Sequence, residues 1–320
     1  MKIHSVIAYL KSLLVISAML TLGVSPVVAA PKGSPWGQDY FPNVELVNQD
    51  GKTVRFYDDL IKGKVVAISF IFTHCGDSCP AETAGLRQVQ KLLGDRVGKD
   101  IFFYSISIDP EHDTPKVLKD YAKRFRVGPG WSFLTGSKAD VTLLRKTLGL
   151  FRDGVEASKL SEHNTSILIG NESTGQWIKR SPFDEPKVLA WQLGRNLSSF
   201  KSYQNTDLAN YAAAKQMPNM SKGEDMFRAH CDSCHSMGNE VGLGPGLQNV
   251  TKVRDRAWLT HWLKNPDKLL ARKDPIAIEL YNRYKKILMP NLRLSDADVE
   301  ALIVYMEASS KAILQDQVSK

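Results

Sequence analysis

Two uncharged apolar runs, Val65–Phe72 and Ile101–Ile108, set the pattern of the chain. Runs of this length and β-branched content predict strands buried on both faces, as in the middle of a parallel sheet. Ahead of them, Val44–Val47 and Thr53–Phe56 alternate around Gln49-Asp50-Gly51, which predicts a hairpin. A helix is expected from Pro80 to Leu93, because proline suits a first helical turn. Thr114-Pro115 opens another, with Val117, Leu118, Tyr121, Ala122 and Phe125 at helical spacing. Trp131–Leu134 reads as a short strand, Ala139–Leu148 as a helix, and Ser166–Ile169 and Gln176–Ile178 as strands joined by a polar turn. A helix over Pro186–Leu197 closes this half. Strands alternating with helices make residues 31–200 an α/β layered domain.

The pattern then changes. Residues 201–219 are polar and alanine-rich and read as a linker. Beyond it, residues 220–320 read as a second domain. Ser221 suits the cap of a helix carrying Met226 and Phe227, and Ser295-Asp296-Ala297-Asp298 that of a last helix carrying Leu302, Ile303 and Tyr305. At the other end, Lys2 and Lys11 precede an apolar stretch, Leu13–Val24, and small residues follow at Val28-Ala29-Ala30. Residues 1–30 are therefore expected to be a cleaved secretory signal, its core being shorter than the ~20 residues a spanning helix needs. That expectation puts the mature chain in a periplasm, where disulfides are permitted. The net charge of +8 is spread thinly over both halves and gives no basis for nucleic-acid binding.

Four cysteines in 320 residues fall in two pairs. Cys75 and Cys79 lie where the first apolar run ends and a helix begins, in Thr73-His74-Cys75-Gly76-Asp77-Ser78-Cys79-Pro80. The positive end of that helix favours thiolate over thiol. Two such thiolates on one loop can form a reversible disulfide or hold a soft metal. His74 adjoins Cys75, but neighbours on an extended strand point to opposite faces, so it is not expected to be a ligand.

These residues resemble the SCO/SenC proteins, thioredoxin-like copper proteins of cytochrome oxidase assembly. The same likeness runs through Val47-Asn48-Gln49-Asp50-Gly51-Lys52, Ser107–Pro115 and Glu162-His163-Asn164, over about residues 36–200. Gly76-Asp77 stands where the family commonly has Pro-Asp, and Glu162-His163-Asn164 where it commonly has Asp-His-Ser/Thr. Neither departure removes a ligand atom. The resemblance implies a thioredoxin-like fold and copper held by Cys75, Cys79 and His163. It also implies a partner, the copper-bearing subunit of cytochrome oxidase, served either by copper delivery or by reduction of its ligand cysteines. A peroxidase-like thiol enzyme is disfavoured, because a peroxidatic cysteine needs no second cysteine so near on its loop.

Cys231-Asp232-Ser233-Cys234-His235 is the attachment motif of c-type haem, in which two thiols bond the haem and the following histidine reaches the iron. The stretch from Met217 to Ser310 resembles a single-haem cytochrome c through Gly223-x-x-x-Phe227, Gly244-Pro245-x-Leu247, Met289-Pro290 and Leu302-Ile303-x-Tyr305. That resemblance implies an all-α cytochrome c domain over residues 220–320 and axial ligation by His235 and Met289, with the Pro245 carbonyl accepting from the other nitrogen of His235. His261, on an expected helix, is the alternative sixth ligand, whereas Met226 and Met306 have the spacing of core residues.

Overall fold

A computed structural model describes residues 36–152, 163–198 and 220–318. The expected signal (1–30) and the expected linker (201–219) lie outside the described residues, as does Glu162. Seven strands form one mixed sheet: β1 (Glu45–Asn48), β2 (Thr53–Arg55), β3 (Val65–Ile71), β4 (Ile101–Ser107), β5 (Trp131–Gly136), β6 (Ile167–Asn171) and β7 (Gln176–Arg180). Their order is β2-β1-β5-β4-β3-β6-β7. The two apolar runs are the parallel neighbours β3 and β4, in register from Val65↔Ile101 to Ile71↔Ser107. Every residue of β3 is buried. On its other side β3 pairs antiparallel with β6, so the centre of the sheet is mixed rather than purely parallel.

Helices α1 (Cys79–Leu93), α2 (Pro115–Arg124), α3 (Lys138–Thr147) and α4 (Pro186–Trp191) complete this half. Thr114 caps α2 and Ser137 caps α3, each side chain accepting a backbone N–H three residues on. The second hairpin strand ends at Arg55, one residue early, because Phe56–Ile61 winds into a π-helical turn that buries Phe56, Tyr57, Leu60 and Ile61. The helix expected to reach Leu197 is α-helical only to Trp191 and continues as a π-helical segment, Gln192–Asn196.

The C-terminal part is helical: α5 (Lys222–His230), α6 (Val250–Val253), α7 (Arg256–Lys264), α8 (Pro266–Ala271), α9 (Pro275–Arg283) and α10 (Asp296–Val318). Ser221 Oγ accepts from Glu224 N at 3.1 Å and caps α5. Ser295 and Asp298 cap α10 reciprocally, each side chain accepting from the other's backbone N–H. The first and last helices cross at Gly223, where a Cβ would stand 2.0 Å from the Ala301 carbonyl oxygen. Phe227, Leu259, Val299, Leu302, Ile303 and Met306 fill the core beneath that crossing. The described residues cluster as one unit, and the helical part meets the sheet domain directly. Leu243 is buried in the core of the sheet domain, with Cys234 and Ile287 packed against it.

Candidate functional site

The loop after β3 is held by a buried carboxylate. Asp113 accepts from Thr73 Oγ1 at 2.5 Å, from Thr73 N at 3.1 Å and from Ser107 Oγ at 2.6 Å. Thr73 is two residues before Cys75, so this anchor fixes where the first thiol emerges. Tyr121, buried on α2, meets the other end of the loop through Thr83 Oγ1 at 2.9 Å and the Cys79 carbonyl at 3.4 Å. The first apolar run and Pro80 thus deliver both sulfurs to one buried place: Cys75 is 2% exposed and Cys79 0%.

The two thiols are not equivalent. The Cys79 thiol donates a hydrogen bond to Cys75, and the backbone N–H groups of Cys79 and Asp77 add to it, which lowers the Cys75 pKa against the opposing effect of burial. Cys79 moves the other way, because it is that donor and because it is buried. Of the two sulfurs, Cys75 is the one whose thiolate this loop favours. One turn into α1, Glu82 is 0% exposed. Neither of its carboxyl oxygens has a hydrogen-bond partner, and burial drives its pKa well above the carboxylate range.

His163 sits at the same end of β3, with Nε2 donating to the Phe70 carbonyl at 3.1 Å and its ring 5.7 Å from that of Phe72. A neutral ring bonded this way carries its lone pair on Nδ1. The structure pairs Cys75 with Cys79 but does not draw His163 into one ligating group: among the described residues, no three His, Cys, Asp or Glu side chains are gathered as a metal site. His74 points instead to Asp109, with Nε2 3.5 Å from Oδ2, and His112 Nδ1 bonds the same oxygen at 2.8 Å. Asp109 and Asp113 were given no role from the sequence. The signal lay in Ser107–Pro115, a polar stretch directly after a buried strand.

The second pair of cysteines borders a different space. A cavity of about 260 Å³ is lined by Cys231, Cys234, His235, Met289 and Met306, among mostly apolar neighbours. His235 Nδ1 donates to the Pro245 carbonyl at 2.8 Å, so Nε2 is the nitrogen that could face a metal ion. Gly244 is required here, since a Cβ would lie 2.4 Å from the His235 ring. Burial raises the Cys231 thiol to about 12 and Cys234 to about 11. His261 is exposed on α7 and does not line the cavity. Two thiols, an oriented imidazole and a methionine around an apolar space suit a covalently attached haem.

The chain is similar to known proteins in both halves. Residues 34–192 match the family model SCO1/SenC, and residues 218–306 match the model described as Cytochrome C oxidase, cbb3-type, subunit III. A SCO1 protein homolog of Bacillus subtilis is 42% identical over 146 residues, which cover 43% of this chain and 74% of that protein. A putative copper-binding protein of Stutzerimonas stutzeri is 33% identical over 145 residues, covering 44% of this chain and 69% of its own length. Among solved structures, a SCO1/SenC family lipoprotein from Bacillus anthracis is 29% identical with a TM-score of 0.43, covering 52% of this chain and 98% of that one. The N-terminal half has the mixed-sheet thioredoxin-like fold, the C-terminal half is helical as a cytochrome c domain is, and the chain belongs to the SCO1/SenC family, with a cytochrome c domain fused behind it.

Proposed function

We propose that this protein is a periplasmic copper protein that helps to build the copper centre of a cytochrome oxidase, and that its helical domain carries haem c for electron transfer. The observation that carries this reading is the pair of thiols buried together on a strand-to-helix loop. It is supported by a relative whose name states copper binding. Cys75 and Cys79 would supply two soft sulfurs that suit Cu(I), and His163 an imidazole that also accommodates Cu(II). Closing that set requires His163 to approach the thiols. In the tautomer that donates from Nε2 to the Phe70 carbonyl, Nδ1 is the nitrogen that would face the metal. His235 and Met289 would take the axial positions of a haem bonded to Cys231 and Cys234. The haem would supply one-electron chemistry. The chain's part is to orient the imidazole through Pro245 and to keep the cavity apolar.

Titration of the reduced protein with Cu(I) and Cu(II) tests the copper reading. One copper per chain with a thiolate-to-copper absorption band is expected, and Cys75→Ser/Cys79→Ser loses both. Equal affinity in that double variant would refute the site. The asymmetry between the two thiols also favours a second reading, a thiol–disulfide oxidoreductase that keeps the oxidase's ligand cysteines reduced. In that reading Cys75 attacks, and Cys79 follows to release the mixed disulfide. Thiol-exchange kinetics on an oxidised cysteine-pair peptide separate the two. Exchange without copper binding selects the oxidoreductase.

A further inference from the structure

Three hydrogen bonds cross the border between the sheet domain and the helical domain. Asn291 N donates to the Gly76 carbonyl at 2.9 Å, Gln88 Nε2 to the Asp232 carbonyl at 3.1 Å, and Arg124 to the Lys286 carbonyl at 3.2 Å. Where helices α2 and α9 end, this border opens into a cleft of about 330 Å³. Four cations line it, Arg124 and Arg126 from the sheet domain and Arg283 and Lys285 from the helical domain. The rest of the lining is Tyr284 and three apolar side chains, and no carboxylate borders it. Arg283 is paired with Glu279 on its own helix. Among the described residues, Arg124, Arg126 and Lys285 have no ion-pair partner.

Cations at a helix C-terminus offset its dipole, which amounts to about half a negative charge per helix. Two helix ends therefore balance about one positive charge, and three of the lining cations are unpaired. Their placement is costly. Arg126 and Lys285 hold left-handed φ angles of 55° and 57°, a conformation that helix ends usually give to glycine. Arg87 Nε donates to the Arg126 carbonyl at 3.4 Å. Burial lowers the pKa values of Arg87 and Lys91, and the charge of Arg126 lowers them further. Like charges gathered on both sides of a domain border repel across it. An anion between them turns that repulsion into attraction. Guanidinium groups match the paired oxygens of phosphate and carboxylate, and the volume of the cleft is at the small end of ligand pockets. We propose that this cleft is a binding site for a small anion with two oxyanion groups, a diphosphate or a citrate-like polycarboxylate. One group is held by Arg124 and Arg126, the other by Arg283 and Lys285, so the ligand ties the two domains together. No metal and no redox step is involved.

The test is calorimetric titration of the full, haem-loaded, copper-free chain with sodium pyrophosphate, citrate or inorganic phosphate, at one ionic strength set with sodium chloride. One pyrophosphate or one citrate per chain is expected, bound at least about tenfold more tightly than phosphate, which offers a single group. Which of the two binds better separates a phosphate ligand from a carboxylate ligand. Arg126→Ser and Lys285→Ser, both at exposed positions, should each weaken binding about tenfold. Lys138→Ser removes a cation from helix α3, outside the cleft, and should leave the affinity unchanged. Saturation should also slow hydrogen exchange of the Asn291 amide, whose bond crosses the domain border. Absence of saturable binding by the parent overturns the proposal, whatever the variants do. So does equal affinity for the three anions, or equal weakening in Lys138→Ser. Weakening in only one of the two cleft variants, or an Asn291 amide unaffected by saturation, overturns the bridge between domains. Binding of long polyglutamate with neither small anion overturns the proposal in favour of an acidic protein partner.

Discussion

At the scale of single residues, the site depends on which of two neighbouring thiols carries charge. Cys75 gains thiolate character because Cys79 donates to it. Cys79→Ala removes that donor, so the Cys75 pKa should rise toward the ordinary thiol value, read as a thiolate absorbance titration of copper-free protein. A Cys75 midpoint unchanged in Cys79→Ala would show that the backbone N–H groups suffice. Asp113 supports the same thiol at one remove. Asp113→Ala would leave Thr73 N–H, Thr73 Oγ and Ser107 Oγ without their shared acceptor. It should cost about 3 kcal/mol in denaturant unfolding and weaken copper binding in step. The two cysteine pairs were legible in the sequence, since each stands in a motif whose spacing has a chemical reason. The inequality of Cys75 and Cys79 was not, because it arises from one hydrogen bond across the folded loop. Nor was the seat of His163, whose bond to the Phe70 carbonyl spans 93 residues of chain.

At the scale of elements, β3 and β4 were legible because eight-residue apolar runs leave little alternative to a buried strand. Their composition says nothing about direction, however, so the antiparallel pairing of β3 with β6 became visible only in the register. The π-helical turn Phe56–Ile61 and the short helix Val250–Val253 were not anticipated, since segments this brief carry too few turns to show a period. Helix α1 carries an unpaid polar burden at Glu82, whose carboxyl is enclosed without a partner. Its folded pKa lies above the unfolded carboxylate value of about 4.3. The neutral form is the one the fold tolerates, so its contribution is fully present below about pH 4.3 and falls as pH rises toward the folded pKa. Glu82→Gln does not titrate. Its melting temperature should therefore exceed the parent's by a margin that grows from pH 4 to pH 8, about that unfolded value as the starting point. A margin that shrinks with rising pH would show that Glu82 is paired as an anion.

At the scale of the whole molecule, the division into an α/β part and a helical part was legible from the polar, alanine-rich stretch 201–219 and from the two cysteine motifs. The contact between the halves was not. Gly76 and Asn291 are separated by most of the chain, and nothing local marks either as a partner of the other. Met289 lines the apolar cavity beside Cys231, Cys234 and His235, and His261 does not. Oxidised, haem-loaded protein should accordingly show a sulfur-to-iron band in the near infrared that disappears in Met289→Ala, together with a lowered reduction potential. Persistence of the band in that variant would move the role to another methionine. The central claim is that Cys75, Cys79 and His163 together hold one copper, although His163 is not yet gathered with the thiols. Electron paramagnetic resonance of the Cu(II)-loaded protein, parent against His163→Ala, tests it most directly. The account predicts sulfur coordination with hyperfine coupling to one imidazole nitrogen in the parent, and loss of that coupling in His163→Ala while Cu(I) is still bound. An identical nitrogen signal in the two proteins would contradict it.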